Sequence, residues 1–432
     1  MAEIAAFRGL RYDPSRAGDP SALLAPPYDV ISPVQQAALE ALSPHNVVRL
    51  ILPRGEGDDR YARAAGALSE WLAVGVLRRD PRPALYRAHT EFEVRGRRYL
   101  RRGLLCRIRL HRYQDGVVLP HERTLSGPKA DRLKLKRACR AHLSPIFALY
   151  EDRERRVDGA LAAAEERRPD LEARTADGLA HRLWRVEDPG AIGAVIAALS
   201  ASQLAIADGH HRYETMLALR DEIRAARPDA RGAVDYGFAY LASRRDEGLV
   251  VLPTHRLLHS HQGFSVEQVL QAARAHFILE ARPLAGAEEI EGLLAHRGGQ
   301  APTLALLAGS GPVHYLTLRP DADLAAIPVA LRGLETALLE HLILRGALGL
   351  SHESITRQEN LRYVHDLEEA LRCVAAGESQ AAFLLNPTRV EEIVAVAASG
   401  ESMPQKSTFF HPKVPTGLVL NPIDPDEDVD RV

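Results

Sequence analysis

In the stretch 204–214, a dense group of side chains that can bind ions or transfer protons follows directly after an apolar run. The apolar residues 204–207 predict a short buried strand, Asp208-Gly209 breaks it, and a helical pattern that buries Tyr213 begins at once. The first N–H groups of a helix lack intrahelical partners and the macrodipole is positive there, so an anion can bind at such a junction. The pattern therefore favours a phosphate site over the alternative, an ordinary polar turn.

Each polar residue of this junction has a chemical use. A helix terminus alone contributes only about 0.3–1 kcal/mol to holding a charge, so a firmly bound polyanion also needs Arg212 and one of His210 or His211. Gly209 permits close approach of the backbone. Asp208, at the end of the strand, could hold a magnesium ion or a donor proton beside the same anion. Magnesium is the cofactor we expect.

A second polar loop precedes a helix start within the segment 118–132. Glu122 could take a proton from a hydroxyl group, while Lys129 and Arg132 neutralise developing charge. The spacing His-Glu-x-x-His is absent, so the pattern does not favour a metal site. The alternative is a charged helix start exposed to solvent.

Three further segments carry polar groups where a ligand could bind. The first, Tyr28-Asp29, follows two consecutive prolines that fix an extended loop. The second, 254–256, follows the predicted end of a strand, where ligands often bind in open sheets. The third, 406–408, combines a lysine with two hydroxyl groups, which suit phosphate oxygens. The candidate substrate-binding residues are Tyr28, Asp29, Thr254, His255, Arg256, Ser407 and Thr408, with Lys406 as a phosphate-binding neighbour.

The elements that must position these residues predict a mixed α+β chain in four parts. An N-terminal segment packs on a mixed-sheet core that contains a helical insertion, an α/β region follows, and a tail folds back onto the active site. The predicted boundaries are 1–85, 86–258 with the insertion at 152–200, 259–400, and 401–422.

Local patterns add three predictions inside these parts. A helical pattern from 59 to 74 predicts an amphipathic helix that buries Trp71 and Leu72. Alternation from 84 to 109 predicts a hairpin, and the helical insertion is predicted to carry a small strand near 183–186.

Composition excludes several broad classes of function. The 432 residues carry 55 basic and 57 acidic side chains, a net charge of −2, so no general attraction to nucleic acid or to an anionic membrane is expected. Cys106, Cys139 and Cys373 lie far apart and predict reduced, buried thiols. The N-terminus lacks a signal pattern and no apolar run could span a membrane, so we expect a cytoplasmic protein.

Several motifs together resemble a known family. Ala-Pro-Pro-Tyr-Asp-Val-Ile, His-Glu-Arg-Thr-Leu-Ser-Gly-Pro-Lys-Ala-Asp-Arg, Leu-Ser-Pro-Ile-Phe, Ala-Asp-Gly-His-His-Arg-Tyr, Leu-Pro-Thr-His-Arg and Met-Pro-Gln-Lys-Ser-Thr-Phe-Phe are similar to motifs of the bacterial family DUF1015. The Asp-Gly-His-His-Arg element also resembles that of free-serine kinases with a ParB/sulfiredoxin-like fold. Those enzymes phosphorylate L-serine to O-phosphoserine with magnesium and a phosphate donor.

The resemblance implies a ParB/sulfiredoxin-like mixed-sheet core and assigns roles to residues. It places the run 208–212 on the donor phosphates, makes Glu122 the base for the serine hydroxyl, and brings the run 406–408 into the pocket. We expect Glu122, Asp208 and His211 to be catalytic. No glycine-rich loop is evident, so pyrophosphate is as good a donor as ATP or ADP.

The preferred hypothesis is a phosphotransferase that acts on free L-serine. We expect no nucleic-acid or membrane partner, and the sequence is compatible with a monomer or a homodimer. One alternative is a nucleotide-binding ParB-like regulator. The other is a metal-dependent phosphatase with Asp208, His210, His211 and His255 as ligands.

Overall fold

The structure, a computed structural model, describes residues 1–124 and 126–429 and has a mixed α+β architecture. The strands are β1 (Ile4–Ala5), β2 (Leu10–Tyr12), β3 (Leu77–Arg79), β4 (Leu85–Val94), β5 (Arg97–Arg109), β6 (Val118–Leu119), β7 (Ala141–His142), β8 (Ile146–Tyr150), β9 (Leu171–Arg174), β10 (Ala180–Val186), β11 (Leu204–Asp208), β12 (Tyr236–Ser243), β13 (Val250–Leu252), β14 (His255–Leu258), β15 (Phe277–Arg282), β16 (Thr303–Leu307), β17 (Val313–Leu318), β18 (Leu361–Val364), β19 (Ala381–Leu384), β20 (Phe409–His411) and β21 (Asn421–Pro422).

Helices of ordinary α type alternate with these strands. They are α1 (Pro14–Ala17), α2 (Pro33–Leu42), α3 (Val48–Ile51), α4 (Asp59–Ala73), α5 (Ser126–Cys139), α6 (Arg156–Glu165), α7 (Pro189–Leu199), α8 (His210–Ala226), α9 (Val266–Ala273), α10 (Ala287–Gly298), α11 (Glu335–Leu338), α12 (His352–Arg357), α13 (Leu367–Ala375) and α14 (Val390–Ser399). A π-helical stretch, Leu339–Ala347, continues α11, and short 3₁₀ turns include Tyr28–Val30. Within the described ranges, no helix is both long and apolar enough to cross a bilayer.

The chain divides into two compact units. The first contains Met1–Pro120, Thr124–Val250 and the chain from Pro412 onward, and the second contains His121–Arg123 and Val251–His411. The predicted segment 1–85 therefore lies in the same unit as most of the predicted core.

A large mixed sheet forms the centre of the first unit. Its strands, within the described residues, lie in the order β6-β11-β8-β12-β5-β4-β10-β9, and β1 also pairs with β5. The pairs β6/β11 and β8/β12 are parallel, and the other pairs are antiparallel. The hairpin predicted from the alternating pattern at 84–109 is present as β4 and β5.

The segment 152–200, predicted as a helical insertion, contributes to this sheet. Between α6 and α7 it forms β9 and β10, and β10 pairs with β4 from Ala180 opposite Glu91 to Val186 opposite Leu85. The strand predicted near 183–186 covers only the C-terminal part of β10, because polar and basic residues interrupt the apolar pattern at its beginning.

A second apolar cluster joins the N-terminal helices to α5. Trp71 of α4 is buried in it with Leu135 of α5 and Leu10 of β2. Leu72, which the helical pattern predicted to be buried, is 37% exposed because it lies one residue, or about 100°, further around the helix than Trp71. The cluster holds the C-terminal half of α5 against the N-terminal segment.

The second unit is built on an antiparallel sheet. The order of its strands in the described residues is β15-β17-β16-β19-β14-β18, and α10 and α13 pack on one face through an apolar cluster that includes Ile290 and Leu367. The three cysteines are buried free thiols, as predicted.

Candidate functional site

The predicted strand–turn–helix is present at 204–226. β11 is buried from Leu204 to Ala207, Gly209 adopts a left-handed φ of 94°, and α8 begins at His210. The Tyr213 hydroxyl donates to the His111 carbonyl (2.8 Å) and accepts from the His111 N–H (3.0 Å). The start of α8 is thereby fixed against the chain that follows β5.

Asp208 lies between two cations at this junction. Lys413 Nζ donates to its Oδ1 at 2.5 Å, and Arg212 Nη2 donates to its Oδ2. Burial alone would raise the pKa of Asp208, but the Lys413 ammonium and then the Arg212 guanidinium outweigh it and hold the pKa well below its ordinary value. Asp208 is therefore an anion at neutral pH, with each oxygen engaged by a cation.

Arg212 is locked by its surroundings. Its side chain is only 5% exposed, and Nη1 donates to the carbonyl oxygen of Pro145. A Cβ atom at Gly209 would lie 2.9 Å from the Arg212 guanidinium carbon. Glycine is therefore required here both for the backbone conformation and for the space that the arginine occupies.

His210 and His211 occupy the first two positions of α8. His210 is 3% exposed, and His211 is half-buried. The donor-binding and catalytic roles expected of them remain predictions.

Lys413 is a site residue that the sequence analysis missed. Its backbone neighbour Pro412 accepts a hydrogen bond at 2.5 Å from Nη1 of Arg101, a fully buried arginine whose guanidinium lies over the Phe147 ring at 5.2 Å. A lysine after His-Pro gives no local signal, since its partner Asp208 is 205 residues away along the chain.

Three further residues that were predicted to bind the ligands, Lys129, Arg132 and Tyr28, make contacts at α5 and α8 of the first unit. Lys129 Nζ donates to Glu214 of α8 at 2.8 Å. The Arg132 guanidinium lies 4.1 Å from the ring centroid of Tyr28 and also binds Asp131. Tyr28 and Arg132, proposed for different roles, are thus in direct cation–π contact. Asp29, the neighbour of Tyr28, is exposed.

The predicted residues of the second unit form a group around the turn 404–407. Glu122 Oε1 accepts from the Lys406 N–H at 3.2 Å, and His121 Nε2 lies 3.2 Å from Thr408 Oγ1. Ser407 is buried, and its hydroxyl donates to the Pro404 carbonyl at 2.7 Å. Glu122 and the run 406–408 are therefore neighbours within this unit. The pocket that they were predicted to form together with the run 208–212 stays a prediction.

The strand-end residues of the second unit support the same turn. Arg256 is 3% exposed, and its Nη2 donates to the Lys406 carbonyl at 3.1 Å. Burial lowers its pKa to about 10. Lys406 itself has a left-handed φ of 55°. Thr254 lies 3.3 Å from His365 Nδ1, and His255 Nδ1 accepts from the Leu385 N–H at 3.2 Å. Substrate binding by these three residues remains a prediction.

The donor set at Asp208 limits how a metal could bind. No group of three or more His, Cys, Asp or Glu side chains suited to a metal ion occurs in the parts of the chain that the structure describes. Both Asp208 oxygens accept from cations. A magnesium ion here would therefore need ligands from bound phosphates and water, which is its usual mode beside nucleotides and pyrophosphate.

An α+β protein with a large mixed sheet and a cationic strand–helix junction is the class that the fold and site define. The family model described as "Protein of unknown function (DUF1015)" matches residues 4–337, and the chain belongs to this family. The resemblance drawn from the motifs is confirmed. No curated protein matches the sequence.

Solved structures with distant likeness include kinases. A conserved hypothetical protein from Pyrococcus furiosus is 15% identical, with 69% of this chain and 90% of that chain covered and a TM-score of 0.35. A mutant free serine kinase in complex with AMP is 14% identical, with 70% of this chain and 89% of that chain covered and a TM-score of 0.37. C-terminally truncated SbnI from Staphylococcus aureus is 12% identical, with 75% of this chain and 91% of that chain covered and a TM-score of 0.36. Such low scores carry no functional argument.

Replacing Gly209 by alanine should destabilise the protein for two separable reasons. A left-handed alanine costs about 1–2 kcal/mol, and displacing the buried Arg212 side chain should add about 1–3 kcal/mol. The matched control is Gly178→Ala, since Gly178 has a φ of 84° and open space around its Cβ position. Urea unfolding should show a larger loss for Gly209→Ala, and equal losses would contradict the close contact.

Asp208→Asn should destabilise the protein in a pH-dependent way. Removing one partner of a buried ion pair typically costs about 3–5 kcal/mol. Because the folded-state pKa of Asp208 is depressed, its contribution is present above the ordinary carboxyl pKa and is lost as pH falls through the folded value.

Urea unfolding at pH 7, 5 and 3 should therefore show a similar difference between wild type and variant at pH 7 and 5 and a smaller one at pH 3, where the unfolded-state carboxyl is mostly protonated. The control is Asp426→Asn, an exposed aspartate paired with Arg227, which should change little at any pH. A difference that stays constant from pH 7 to 3 would argue against an ionised Asp208 in the folded protein.

Proposed function

We propose that this chain is a phosphotransferase that phosphorylates the hydroxyl group of free L-serine to O-phosphoserine, with pyrophosphate or a nucleotide as donor. The observation that carries the proposal is the arrangement of Arg212, Asp208 and Lys413 at the start of α8. Phosphoryl transfer depends mainly on positioning and on neutralising phosphate charge. The choice of L-serine as the acceptor rests on the motifs that resemble those of free-serine kinases.

Two cations lie beside one carboxylate at the junction. Arg212 and Lys413 together oppose the single carboxylate of Asp208, and the positive end of the α8 dipole adds to their field. Asp208 fixes the direction of both cations without cancelling their charge. Cations held in this way act on a phosphate without reorganising, which is the property that lowers a transition state.

Glu122 is the proposed base for the serine hydroxyl. The assignment comes from the motif resemblance, and its support is chemical: Glu122 is half-buried and held by the Lys406 N–H. A ParB/sulfiredoxin-like core is proposed on the same resemblance. Magnesium, proposed as the cofactor, would neutralise the donor phosphates, with Asp208 as a protein ligand only if a cation moves away.

A direct assay tests the function. The protein is incubated with serine and magnesium and, separately, with pyrophosphate, ATP or ADP, and phosphoserine is measured by mass spectrometry. We expect phosphoserine with at least one donor. Its absence with all three, from folded protein, would contradict the proposal. Metal analysis and a gel shift at physiological ionic strength test the phosphatase and regulator alternatives.

Substitution of the cations should slow the reaction strongly. Arg212→Lys keeps a charge but loses the planar donor geometry, and Lys413→Met removes a charge. Each should lower kcat/KM by about 10²–10³-fold. Lysine is preferred to alanine at 212, because alanine would leave the Asp208 carboxylate short of a buried partner.

The control for these variants is Arg137→Lys, an exposed arginine of α5 paired with Glu222. Circular dichroism and thermal unfolding establish that each variant is folded. Turnover within threefold of wild type in a folded Arg212→Lys protein would remove this arginine from the chemistry.

Glu122→Gln should separate chemistry from binding. Glutamine can still accept the hydrogen bond from Lys406 N–H but cannot take a proton, so kcat should fall by about 10²–10⁴-fold. The KM for the donor should change little. Glu401→Gln, at an exposed glutamate, is the control. Normal kcat in Glu122→Gln would mean that another group is the base.

A further inference from the structure

A small cavity behind Arg212 has an unusual lining. It measures about 20 Å³, and its polar lining residues are Tyr28, Arg132, Lys136, Ser144 and Arg212. Space of this size holds about one water molecule or one oxygen atom of a larger group. Three of the five polar residues are cations, and they come from both α5 and α8.

Lys136 differs from the other two cations in having no carboxylate. Arg132 binds Asp131, and Arg212 binds Asp208. Lys136 is 7% exposed, and among the described residues its ammonium has no ion-pair or hydrogen-bond partner. Lys136 lies in the last turn of α5, where the helix dipole favours a cation only modestly. A largely buried lysine without a carboxylate partner must therefore be balanced by another charge or lose its proton.

The groups that face Lys136 do not provide that balance. Arg132 lies on its own helix, Arg212 on α8 and His142 on β7, and each of them is basic. Tyr28, across the cavity, is a neutral phenol whose pKa burial raises. With Lys136 protonated, the cavity therefore holds one positive charge that the surrounding protein does not match.

We propose that Lys136, with Arg132 and Arg212, binds one oxygen of a phosphate-type oxyanion in this cavity, and that Lys136 is thereby an additional donor-binding residue. The inference rests on the proposed function for the identity of the anion as the phosphate donor. Arg212 links this cavity to the strand–helix junction, because it lines the cavity and also binds Asp208. An oxyanion at the junction could therefore extend one oxygen to Lys136.

Proton uptake is a specific signature of this site. Burial, then Arg212 and Arg132, lower the pKa of Lys136 to about 7, so the free protein carries mostly neutral Lys136 at pH 8. An anion in the cavity favours the charged form and raises that pKa. Binding at pH 8 should therefore take up a proton, which calorimetry detects as a dependence of the measured heat on the buffer.

The experiment titrates the full chain with pyrophosphate and, separately, with sulfate at pH 8 in two buffers of different ionisation enthalpy. Sulfate does not titrate near this pH, so its proton uptake comes from the protein. Lys136→Met should bind either anion at least tenfold more weakly and lose most of the uptake. The control is Lys134→Met, on the same helix, whose exposed ammonium pairs with Asp58. Unchanged affinity and uptake in Lys136→Met would overturn the proposal.

Stability provides a second readout that does not depend on a ligand. With its pKa lowered to about 7 from 10.5, Lys136 binds fewer protons in the folded than in the unfolded chain between these values. Stability should therefore rise with pH across this window, and Lys136→Met or Lys136→Gln should lack that slope. The melting temperature of Lys136→Met should exceed that of wild type at pH 6.

The binding and activity results separate the two proposals. Loss of anion binding in Lys136→Met, with no phosphoserine from wild type, would support the cavity and contradict the serine kinase. Phosphoserine formation with normal binding by Lys136→Met would support the kinase and contradict the cavity.

Discussion

The first unit depends on one buried carboxylate that two cations neutralise. Asp208 ends a buried strand, where an ion without a partner would be expensive in free energy. Its partners come from different distances along the chain: Arg212 is one helical turn away, and Lys413 belongs to the C-terminal segment. The same carboxylate therefore links the end of β11, the first turn of α8 and the C-terminal segment at Lys413.

The C-terminal segment reaches Asp208 through a series of backbone contacts. Arg101 holds Pro412, and Thr416 exchanges backbone hydrogen bonds with Ala25. Further on, Leu420 pairs with Leu10, and β21 pairs with β7. Each contact is with the first unit, so the position of Lys413 is determined by register along the whole segment. A lysine tethered on both sides loses little additional entropy when it binds Asp208.

Features that the sequence predicted correctly are local ones. The apolar run, the Asp-Gly break and the helical period at 204–226 lie within one short segment, so periodicity and turn chemistry suffice to predict the strand, the turn and the helix. The hairpin at 84–109 has the same character. Burial of Leu72 was predicted wrongly, since periodicity defines the middle of a helix face better than its edge.

Features that the sequence did not reveal depend on contacts between distant segments. Lys413 becomes a site residue only because the C-terminal segment folds beside β11, and β10 reaches its full length only by pairing with β4. Nothing in the sequence around Lys136 signals burial, which results from the packing of α5 against other segments, α8 and α4 among them. Residue types give the chemistry of these groups, whereas their partners come from tertiary structure.

Retention of unmatched positive charge has a physical rationale. A fold selected for stability alone would place a carboxylate or an apolar side chain opposite Lys136, because either choice removes the cost of a buried cation. At the junction, the cations Arg212 and Lys413 are both held beside the carboxylate of Asp208. Like charges held close together at a helix N-terminus repel one another, and an anion placed between them would reduce that repulsion. On the proposed function, a phosphate that binds here would relieve this repulsion, and the relief would contribute to its binding free energy.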